Sequence, residues 1–411
     1  MRVVLAVEGT RGDVHPMLAL GERLRAAGHA VRVCTSPDFA EDAAARGLDF
    51  HPIGGSIRAV LTEEAEALHA GPFALARVSF RFMLQNLRAQ FEGLLEGARG
   101  ADLVVGAGVQ LAAPSIAEKL WLPYRYVAYC PAILPSREHA PFLVEQQSWP
   151  GIANRLAWSL AFAGMRLAPG LAIDRERGRL GLPPIRDIGR YLMSAGPLLA
   201  VDRELAEAPA DAPFQVVQIP CLHPFEPEPL PAKLEAFLDA GPPPVYLGFG
   251  SMTDPRPAET TRRLLDALAR RGLRAVIARG WAGLGDGPLP EGVTVTDPVS
   301  HAALFPRTAG VVHHGGAGTT ATAARAGVPQ LVMPHLLDQF YWARRVQQLG
   351  LGPPPVRRRD FTPERLADAL AELAENEVLA ERARELGEQL RLRAREPVDH
   401  AALLFEPVHP R

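Results

Sequence analysis

The residues of segment 313–320, HHGGAGTT, have the clearest chemical character in this sequence. An apolar run ends at the histidines, three glycines follow, and the threonines open a helical pattern. Glycines let a backbone approach a phosphate closely, and the free N–H groups at a helix start carry roughly half a positive charge. We therefore predict a diphosphate site here, to which His314, Thr319 and Thr320 can donate hydrogen bonds. A tight strand–helix turn without a ligand is the alternative, because the spacing is neither that of a Walker loop nor GxGxxG.

The sequence contains no clear metal-binding motif. No DxD pair stands beside a predicted strand end, and Cys34, Cys130 and Cys221 lie far apart without a CxxC or Cys/His spacing. Each cysteine has apolar neighbours and is expected to be a small core residue. We expect no catalytic metal and no resident cofactor.

The elements that must position segment 313–320 are those of an α/β protein. Short apolar runs at 3–7, 30–34, 103–106 and 124–128 predict buried parallel strands, with helices over 17–27 and 112–119. The helical patterns at 56–95 and 139–180 look like insertions on this first domain.

The alternation restarts after a proline-rich stretch. Strands are predicted at 245–249, 275–278, 293–295, 310–313 and 330–333, and helices at 260–271, 319–326 and 365–395. The chain is thus predicted to hold two doubly wound parallel sheets facing across a cleft. We place the first domain at 1–215, a stiff linker at 216–241, the second domain at 242–390, and a C-terminal helix at 391–411 that packs back on the first domain.

The bulk composition is that of a folded globular protein. The 411 residues are 47% hydrophobic and 22% charged, with a formal net charge of −2. Because no polyanion-binding charge is present, we expect no nucleic-acid partner. The first apolar run ends at Glu8, too early for a signal peptide, and 156–172 contains Arg166 and Pro169. We expect a cytoplasmic protein without integral membrane association, with peripheral association left open, and a monomer or homodimer.

Several motifs together carry a resemblance to a known family. Segment 313–320, AGVPQ at 326–330 and PHLLDQ at 334–339 resemble the donor-site signature of the sterol and vancomycin-group glycosyltransferases, within the UDP-glycosyltransferase family of GT-B fold. The segments GTRGDVHP at 9–16, GFGSM at 248–252 and 301–307 are similar to the same group. The resemblance covers both halves of the chain in the expected order.

The resemblance implies a donor site in the second domain for a nucleoside diphosphate sugar. The diphosphate would be held by Ser251, His314, Gly316, Ala317, Gly318, Thr319 and Thr320. Arg11 and Gly12 of the first domain would also contact the donor. Asp338 and Gln339 would bind sugar hydroxyls, although Asp338 also suits a helix N-cap. Trp281 would stack on the nucleobase and the backbone near Val299 would bind its edge, while ordinary packing is the alternative for the tryptophan.

The resemblance also implies a catalytic base in segment 9–16. Asp13 stands where many relatives have histidine, on a Gly-containing loop at a strand's carboxyl end; His15 is the alternative base. An Asp at its reference pKa of about 3.9 is a weak base, so proton removal would be late and concerted with sugar transfer. One base opposite a departing diphosphate implies direct displacement with inversion.

Two departures from the family pattern affect these roles. An orienting Asp is absent near strand 103–108, where GAG stands at 106–108, which is consistent with Asp13 acting alone. Thr322 replaces a glutamate that clamps the ribose in many relatives, so UDP and dTDP donors both stay open. Sterol-type similarity favours UDP-glucose.

The acceptor is expected to be an apolar small molecule, such as a sterol, a polyketide or another natural product. The helical insertions carry large apolar side chains over the cleft, and five of them are predicted to bind the acceptor, although core packing is the alternative for each. They are Phe73, Phe82, Met83, Trp149 and Phe162.

Other functions fit the sequence less well. A Rossmann dehydrogenase would need GxGxxG after the first strand, which segment 9–16 does not supply. A sugar-nucleotide epimerase of the same fold and a non-catalytic nucleotide-sugar-binding activator protein stay open as alternatives.

Overall fold

The computed structural model describes residues 1–64, 66–67, 72–167, 169–194, 196–223, 228–394 and 398–405. A seven-stranded parallel sheet forms the core of the first domain, in the order β3-β2-β1-β4-β5-β6-β7. Its strands are β1 (Arg2–Glu8), β2 (Ala30–Thr35), β3 (Asp49–Pro52), β4 (Leu103–Gly108), β5 (Tyr124–Ala128), β6 (Leu198–Ala200) and β7 (Val217–Ile219). The central strands β1 and β4 are apolar and buried, because helices cover both faces of the sheet.

Eight helices of the described chain accompany this sheet. They are α1 (Arg11–Ala26), α2 (Ala40–Ala45), α3 (Ile57–Glu63), α4 (Pro72–Gly97), α5 (Ala113–Lys119), α6 (Gly151–Leu167), α7 (Pro169–Arg179) and α8 (Ile188–Met193). Helix α1 was predicted only from Met17, and the capping geometry at Thr10 moves its start forward to Arg11. Segment 139–150 was predicted to be helical but has no helix, because its prolines and polar residues interrupt the pattern.

A five-stranded parallel sheet forms the core of the second domain, in the order β10-β9-β8-β11-β12. Its strands are β8 (Val245–Gly248), β9 (Ala275–Ala278), β10 (Val293–Thr296), β11 (Gly310–His313) and β12 (Gln330–Val332). Its helices are α9 (Ala232–Asp239), α10 (Pro257–Arg271), α11 (His301–Leu304), α12 (Ala317–Ala326), α13 (Gln339–Gln348), α14 (Pro363–Glu375) and α15 (Glu377–Arg393). The predicted fold class, two doubly wound parallel sheets, is confirmed.

Each sheet has one point where the chain reverses the direction in which strands are added. In the first sheet this point lies between β1 and β4, where Glu8 pairs with Gly108. In the second it lies between β8 and β11, where Gly248 pairs with His313. Ligands of doubly wound sheets bind beyond the carboxyl ends of the strands at such a switch point. Segments 9–16 and 313–320 both begin there.

The connection between the domains contains ordered elements. Strand β7 and helix α9 both lie within the range 216–241 predicted as a linker. The last helix described, α16 (His400–Phe405), returns to the first domain, where Leu404 is buried among side chains of β1 and α1. The guanidinium of Arg125 donates to the Leu404 carbonyl at 3.2 Å.

Candidate functional site

Asp13 lies in the first turn of α1, not on a loop as the sequence pattern predicts. The backbone N–H of Thr10 donates to Asp13 Oδ2 at 2.9 Å, and the Asp13 N–H donates to the Thr10 carbonyl at 2.9 Å. This is a capping box, in which the third helical residue satisfies the N–H of the cap. The box fixes the carboxylate at the carboxyl end of β1.

The environment of Asp13 makes it a stronger base than its residue type suggests. Burial raises the pKa of Asp13 to about 6, while hydrogen bonds from Thr10 oppose the shift. The expectation of an ordinary carboxylate pKa is therefore wrong. A general base works best when its pKa lies near the operating pH, so this shift suits proton abstraction near neutrality.

Two tyrosines and a glycine support this carboxylate, and sequence reasoning missed them. Tyr129 donates its hydroxyl to the Asp13 carbonyl at 3.0 Å, and Tyr126 donates to the Gly108 carbonyl at 3.1 Å. Gly108 has φ +63°, and a Cβ there would lie 2.2 Å from the Glu8 carbonyl oxygen and 3.3 Å from Asp13 Oδ1. Because residue 108 has no Cβ, the Asp13 carboxylate can lie close to the end of β4.

His15, the alternative base, has a different environment. Its Nε2 lies 3.5 Å from Asp42 Oδ2, and its ring packs edge-on against Phe39. Residues two apart on a helix point roughly 200° apart, so His15 and Asp13 face different sides of α1. The histidine is paired with α2 while the aspartate lies at the switch point.

Glu8 is a buried carboxyl group that the sequence analysis did not single out. It is 1% exposed, and Gln90 of α4 donates to its Oε2 at 2.9 Å. Burial raises the pKa of Glu8 to about 7, against the opposing hydrogen bond from Gln90. A lone Glu at the end of an apolar strand gives no signal of this burial, because helix α4 that covers it is distant in sequence.

His313 shapes the glycine turn of the second domain. Its Nδ1 accepts from the Gly315 N–H at 3.1 Å, so its Nε2 carries the proton that is donated to Gln330 Oε1 at 3.0 Å. Gly315 has φ +92°, and a Cβ there would lie 2.7 Å from the Val332 side chain. Both residues are buried, and they fix the turn that presents the next residues.

His314 follows at the tip of β11. Burial, followed by the nearby His301, lowers the pKa of His314 to about 4. The ring is therefore neutral near pH 7 and can donate one hydrogen bond. Gly250, at the end of the neighbouring strand, lies beside this ring, with its Cβ position 3.2 Å from His314 Cε1.

Helix α12 begins at Ala317, with Gly316 as its N-cap residue. The first N–H groups of a helix lack intrahelical acceptors, so those of Ala317, Gly318 and Thr319 form a cradle for an anion. Thr320 differs from its predicted role, because it is buried and its hydroxyl donates to the Gly316 carbonyl at 3.0 Å. That hydroxyl holds the first helical turn and is not directed to a phosphate.

Asp338 occupies the N-cap position of α13, next to Leu337 at the strained φ of +56°. Burial and, after it, the carboxylate of Asp13 raise the pKa of Asp338 to about 7. The aspartate of the second domain is therefore electrostatically coupled to that of the first. Backbone strain of this kind costs about 1–3 kcal/mol and clusters at ligand sites.

The side chain of Gln339 organises the loop that precedes it. Its Oε1 accepts from the N–H groups of His335 at 2.8 Å and Leu336 at 3.1 Å. Its Nε2 lies 3.3 Å from the sulfur of Met252. Gln339 was predicted to bind sugar hydroxyls, but both the oxygen and the nitrogen of its amide contact protein groups.

Trp281 lies where the two domains meet. Its backbone N–H donates to the Gly250 carbonyl at 3.0 Å, while the guanidinium groups of Arg11 and Arg58 lie 6.0 Å and 5.8 Å from its ring centroid. Two first-domain cations therefore approach a second-domain aromatic face. The remaining donor residues are more enclosed: Ser251 is buried, and Val299 packs against the core around Tyr246.

The start of α1 and the start of α12 face each other directly. Gly12 and Pro16 on one side and Ala317 and Gly318 on the other line one narrow space between the domains. Asp13 follows Gly12 in the first turn of α1, so its capped carboxylate lies on the helix that faces the anion cradle of the second domain.

Behind this space, three arginines of the second domain hold the loop that follows β6. Arg325 lies 3.3 Å from Asp202, Arg393 lies 3.2 Å from Glu204, and Arg345 Nε donates to the Leu205 carbonyl at 2.5 Å. We call residues 202–205 the β6 loop. Its contacts tie helices α12 and α13 to the first domain.

Cys221 has a more polar environment than its sequence neighbours suggest. Ligand atoms of Asp202, Cys221 and His223 lie within 4.8 Å of one another. Arg325 neutralises Asp202, and the guanidinium of Arg23 donates to the His223 carbonyl at 2.6 Å. Two cations beside the cluster oppose the binding of a divalent ion there.

The predicted acceptor residues are not gathered around one described cavity. Met83 and Phe162 pack against the first-domain core, Trp149 is 40% exposed, and Phe82 is half-buried. The side chain of Phe73 lies outside the described residues. Phe162 contacts the buried Trp158, with ring centroids 5.7 Å apart.

Solved structures with this architecture establish the fold. The chain superimposes on the glycosyltransferase VinC in complex with dTDP with a TM-score of 0.69, 23% identity and 95% coverage of both chains. It superimposes on the calicheamicin glycosyltransferase CalG4 with a TM-score of 0.69, 20% identity and 99% coverage of both. The fold is thus GT-B, the fold of these two-domain glycosyltransferases.

Sequence comparison identifies the family. Residues 3–137 match the glycosyltransferase family 28 N-terminal domain, and residues 262–400 match the erythromycin biosynthesis protein CIII-like C-terminal domain. The chain is 39% identical to glycosyltransferase GtfE of Amycolatopsis orientalis, covering 86% of this chain and 85% of that protein. It is also 39% identical to the vancomycin aglycone glucosyltransferase of the same organism, covering 90% of each. The chain belongs to this family of glycosyltransferases.

Proposed function

We propose that this protein transfers a hexose from a nucleoside diphosphate donor to a hydroxyl group of an apolar natural product, with inversion and without a metal ion. The donor we favour is UDP-glucose, and a dTDP-deoxysugar is the alternative. The observation that carries the proposal is that helix α1, whose first turn holds the capped Asp13, lines one space with the N-terminus of α12 across the domain cleft.

The donor would be held by the second domain. The N–H groups at the start of α12 and the neutral ring of His314 would bind the diphosphate, and these fixed dipoles would stabilise the negative charge that develops on it. Trp281 would stack on the base and Asp338 would accept from sugar hydroxyls. Thr322 donates its hydroxyl to the Gly318 carbonyl at 2.8 Å. That engagement is consistent with a ribose that is loosely bound and with either nucleotide.

The chemical step would be a single displacement. Asp13 takes the proton of the acceptor hydroxyl as its oxygen forms a bond to the anomeric carbon. The bond from that carbon to the diphosphate oxygen breaks on the opposite face, and its electron pair leaves with the nucleotide. A base with a pKa of about 6 can act in this way at neutral pH.

The acceptor assignment rests on the relatives and on the apolar helices of the first domain. Vancomycin aglycone glucosyltransferase of Amycolatopsis orientalis and the sterol 3-beta-glucosyltransferases of Arabidopsis thaliana are named for natural-product acceptors, an antibiotic aglycone and a sterol. We propose the same chemical class for this chain. Cytoplasmic location is part of the proposal.

The test is a screen of UDP- and dTDP-sugars against a library of apolar alcohols, with released nucleoside diphosphate and the product anomer as readouts. We expect a β-glycoside from an α-linked donor, in the presence of EDTA as well as without it. A retained anomer or a metal requirement contradicts the mechanism. Free isomerised donor would indicate an epimerase, and nucleotide-sugar binding without any turnover would indicate an activator protein.

A further inference from the structure

Helix α6 carries large aliphatic side chains on the face that points away from the protein. Ile152 is 86% exposed, Leu156 61%, Leu160 64% and Leu167 71%, and Leu171 at the start of α7 is 50% exposed. The spacing of the first three is four residues, so they form one stripe along the helix. We call these five residues the α6 stripe. Single exposed leucines are common in globular proteins, but a contiguous row marks an interaction surface.

The opposite face of α6 is fixed to the first domain, so the stripe cannot turn inward. Trp158 is 6% exposed, and its indole N–H donates to the His139 carbonyl at 3.2 Å. Asn154 is fully buried and donates to the Arg137 carbonyl at 2.8 Å. The helix is thus apolar on both sides, with one side used for packing.

The charged side chains of helix α6 itself are both arginines. Between Gln146 and Ile173 the sequence has no Asp or Glu and two charged residues, Arg155 and Arg166. Arg166 is neutralised by Asp174 at 2.9 Å. Arg155 is exposed and lies within the stripe, between Ile152 and Leu156. The surface therefore combines aliphatic side chains with a cation, and it matches a partner that is apolar inside and anionic at its border.

We propose that the α6 stripe binds the surface of an anionic phospholipid bilayer. The aliphatic side chains would enter the boundary between headgroups and acyl chains, and Arg155 would pair with lipid phosphates. From Ile152 to Leu167 the stripe is roughly 22 Å long at 1.5 Å per residue, so it can lie along a membrane. In the described chain, no single helix is long and apolar enough to cross one, and the pair α6 and α7 is bent by 42°.

Charge also separates this partner from a second copy of the chain. If two α6 stripes packed together, each would bring Arg155 into an interface to which residues 146–173 contribute no carboxylate. An unpaired guanidinium in an apolar interface is unfavourable. Lipid phosphate supplies the missing anion. This inference concerns where the enzyme works and does not depend on its donor or acceptor.

The experiment is co-sedimentation of the full chain with vesicles of phosphatidylglycerol and of phosphatidylcholine. We expect the unaltered protein to prefer phosphatidylglycerol vesicles. For the variant Leu156→Gln/Leu160→Gln, the partition coefficient should fall by about tenfold or more. For Arg155→Gln, the preference for phosphatidylglycerol over phosphatidylcholine should fall by about fivefold. The matched control is Val378→Gln/Leu392→Gln on α15, whose side chains are 67% and 63% exposed. It should bind vesicles as the unaltered protein does.

Unchanged UDP binding and thermal unfolding would show that every variant is folded. Equal sedimentation of the unaltered protein and the α6 variant overturns the proposal, as does an unaltered protein that stays in the supernatant with both lipids. Analytical ultracentrifugation provides the remaining outcome. A dimer that dissociates in the α6 variant, without vesicle binding, would assign the stripe to self-association.

Discussion

The carboxylates of Asp13 and Asp338 come from different domains and influence each other across the cleft. Burial and then the Asp13 carboxylate raise the pKa of Asp338 to about 7. Two acids at one site titrate as a pair, and the proton that one of them receives is felt by the other. In the proposed reaction Asp338 binds the sugar and Asp13 receives the acceptor proton, so donor recognition and proton transfer share one electrostatic site.

Asp13→Asn should abolish most of the transferase activity while nucleotide binding is kept. The amide retains an oxygen that can accept from the Thr10 N–H but cannot take a proton, so a fall in kcat of about 10²–10⁴-fold is expected. Single-turnover rates and calorimetric UDP affinity measure the two effects. His15→Gln is the control and should change kcat little. The reverse pattern, with His15 essential and Asp13 dispensable, would exchange their roles.

The activity should rise with pH through the titration of both acids. Asp13 must be ionised to act as a base, and its pKa of about 6 places the loss of kcat/KM below that pH. Asp338, with a pKa of about 7, accepts sugar hydrogen bonds more strongly when it is ionised, which steepens the profile. In Asp338→Asn only one ascending limb should remain, near pH 6. A flat profile between pH 5 and about 7 would contradict both assignments.

The adjacent histidines should separate into a functional and a structural residue. His314→Ala should lower kcat about 10²-fold or more with little change in thermal unfolding, because it removes one donor to the departing diphosphate. His313→Leu should destabilise the second domain, since the Gly315 N–H and Gln330 Oε1 lose their partner. Each unsatisfied buried group costs about 1–3 kcal/mol. Thermal unfolding and kcat of both variants check the contrast, and equal effects on both would refute it.

Trp281→Leu should weaken nucleotide binding by about tenfold, because a leucine offers less stacking area to a base than an indole. Tryptophan fluorescence or calorimetry with UDP measures the change. Trp121→Leu is the matched control, since that indole is 94% exposed and remote from the cleft. Unchanged UDP affinity in Trp281→Leu would leave the ring as a packing residue of the domain contact.

The variant Glu8→Gln should be more stable than the unaltered protein at alkaline pH, and this advantage should disappear at acid pH. The folded-state pKa of Glu8, about 7, lies above its ordinary value of 4.5. The contribution of Glu8 to the free energy of unfolding is therefore fully present below about pH 4.5, where the carboxyl group is protonated in both states. This contribution is lost as pH rises through 7. The gain in the free energy of unfolding should reach roughly 3 kcal/mol at pH 8. Urea unfolding at several pH values measures it, with exposed Glu41→Gln as the control; a gain that is independent of pH would contradict it.

The sequence allowed prediction of what is encoded locally. Segments 9–16 and 313–320 could be placed at sheet edges because a strand pattern, glycines and a helix pattern stand next to each other in the chain. The helix around Asp13 was predicted to begin too late, since Pro16 and two glycines obscure a start that the Thr10 capping box stabilises. Local composition does not show how one side chain satisfies another's N–H group.

The features that sequence reasoning missed depend on contacts distant in the chain. The raised pKa values of Asp13 and Glu8 follow from burial by elements that are distant in the chain. The type of residue alone does not predict this burial. Thr320 was expected to face a phosphate because hydroxyls at helix starts can do so, but its neighbour Gly316 supplies an acceptor. Burial and competing acceptors are properties of the assembled fold.

The contacts of the β6 loop bear on how enzymes of this kind could be recombined. A hybrid that takes its acceptor half from one parent and its donor half from another, joined at the prolines after residue 223, would separate Asp202, Glu204 and Leu205 from Arg325, Arg393 and Arg345. Such a hybrid would keep its domain alignment only if the parent of the first domain has matching carboxylates at positions 202 and 204. If residues 202–205 were transplanted together with the second domain, the hybrid would keep these contacts as they are in the parent of that domain.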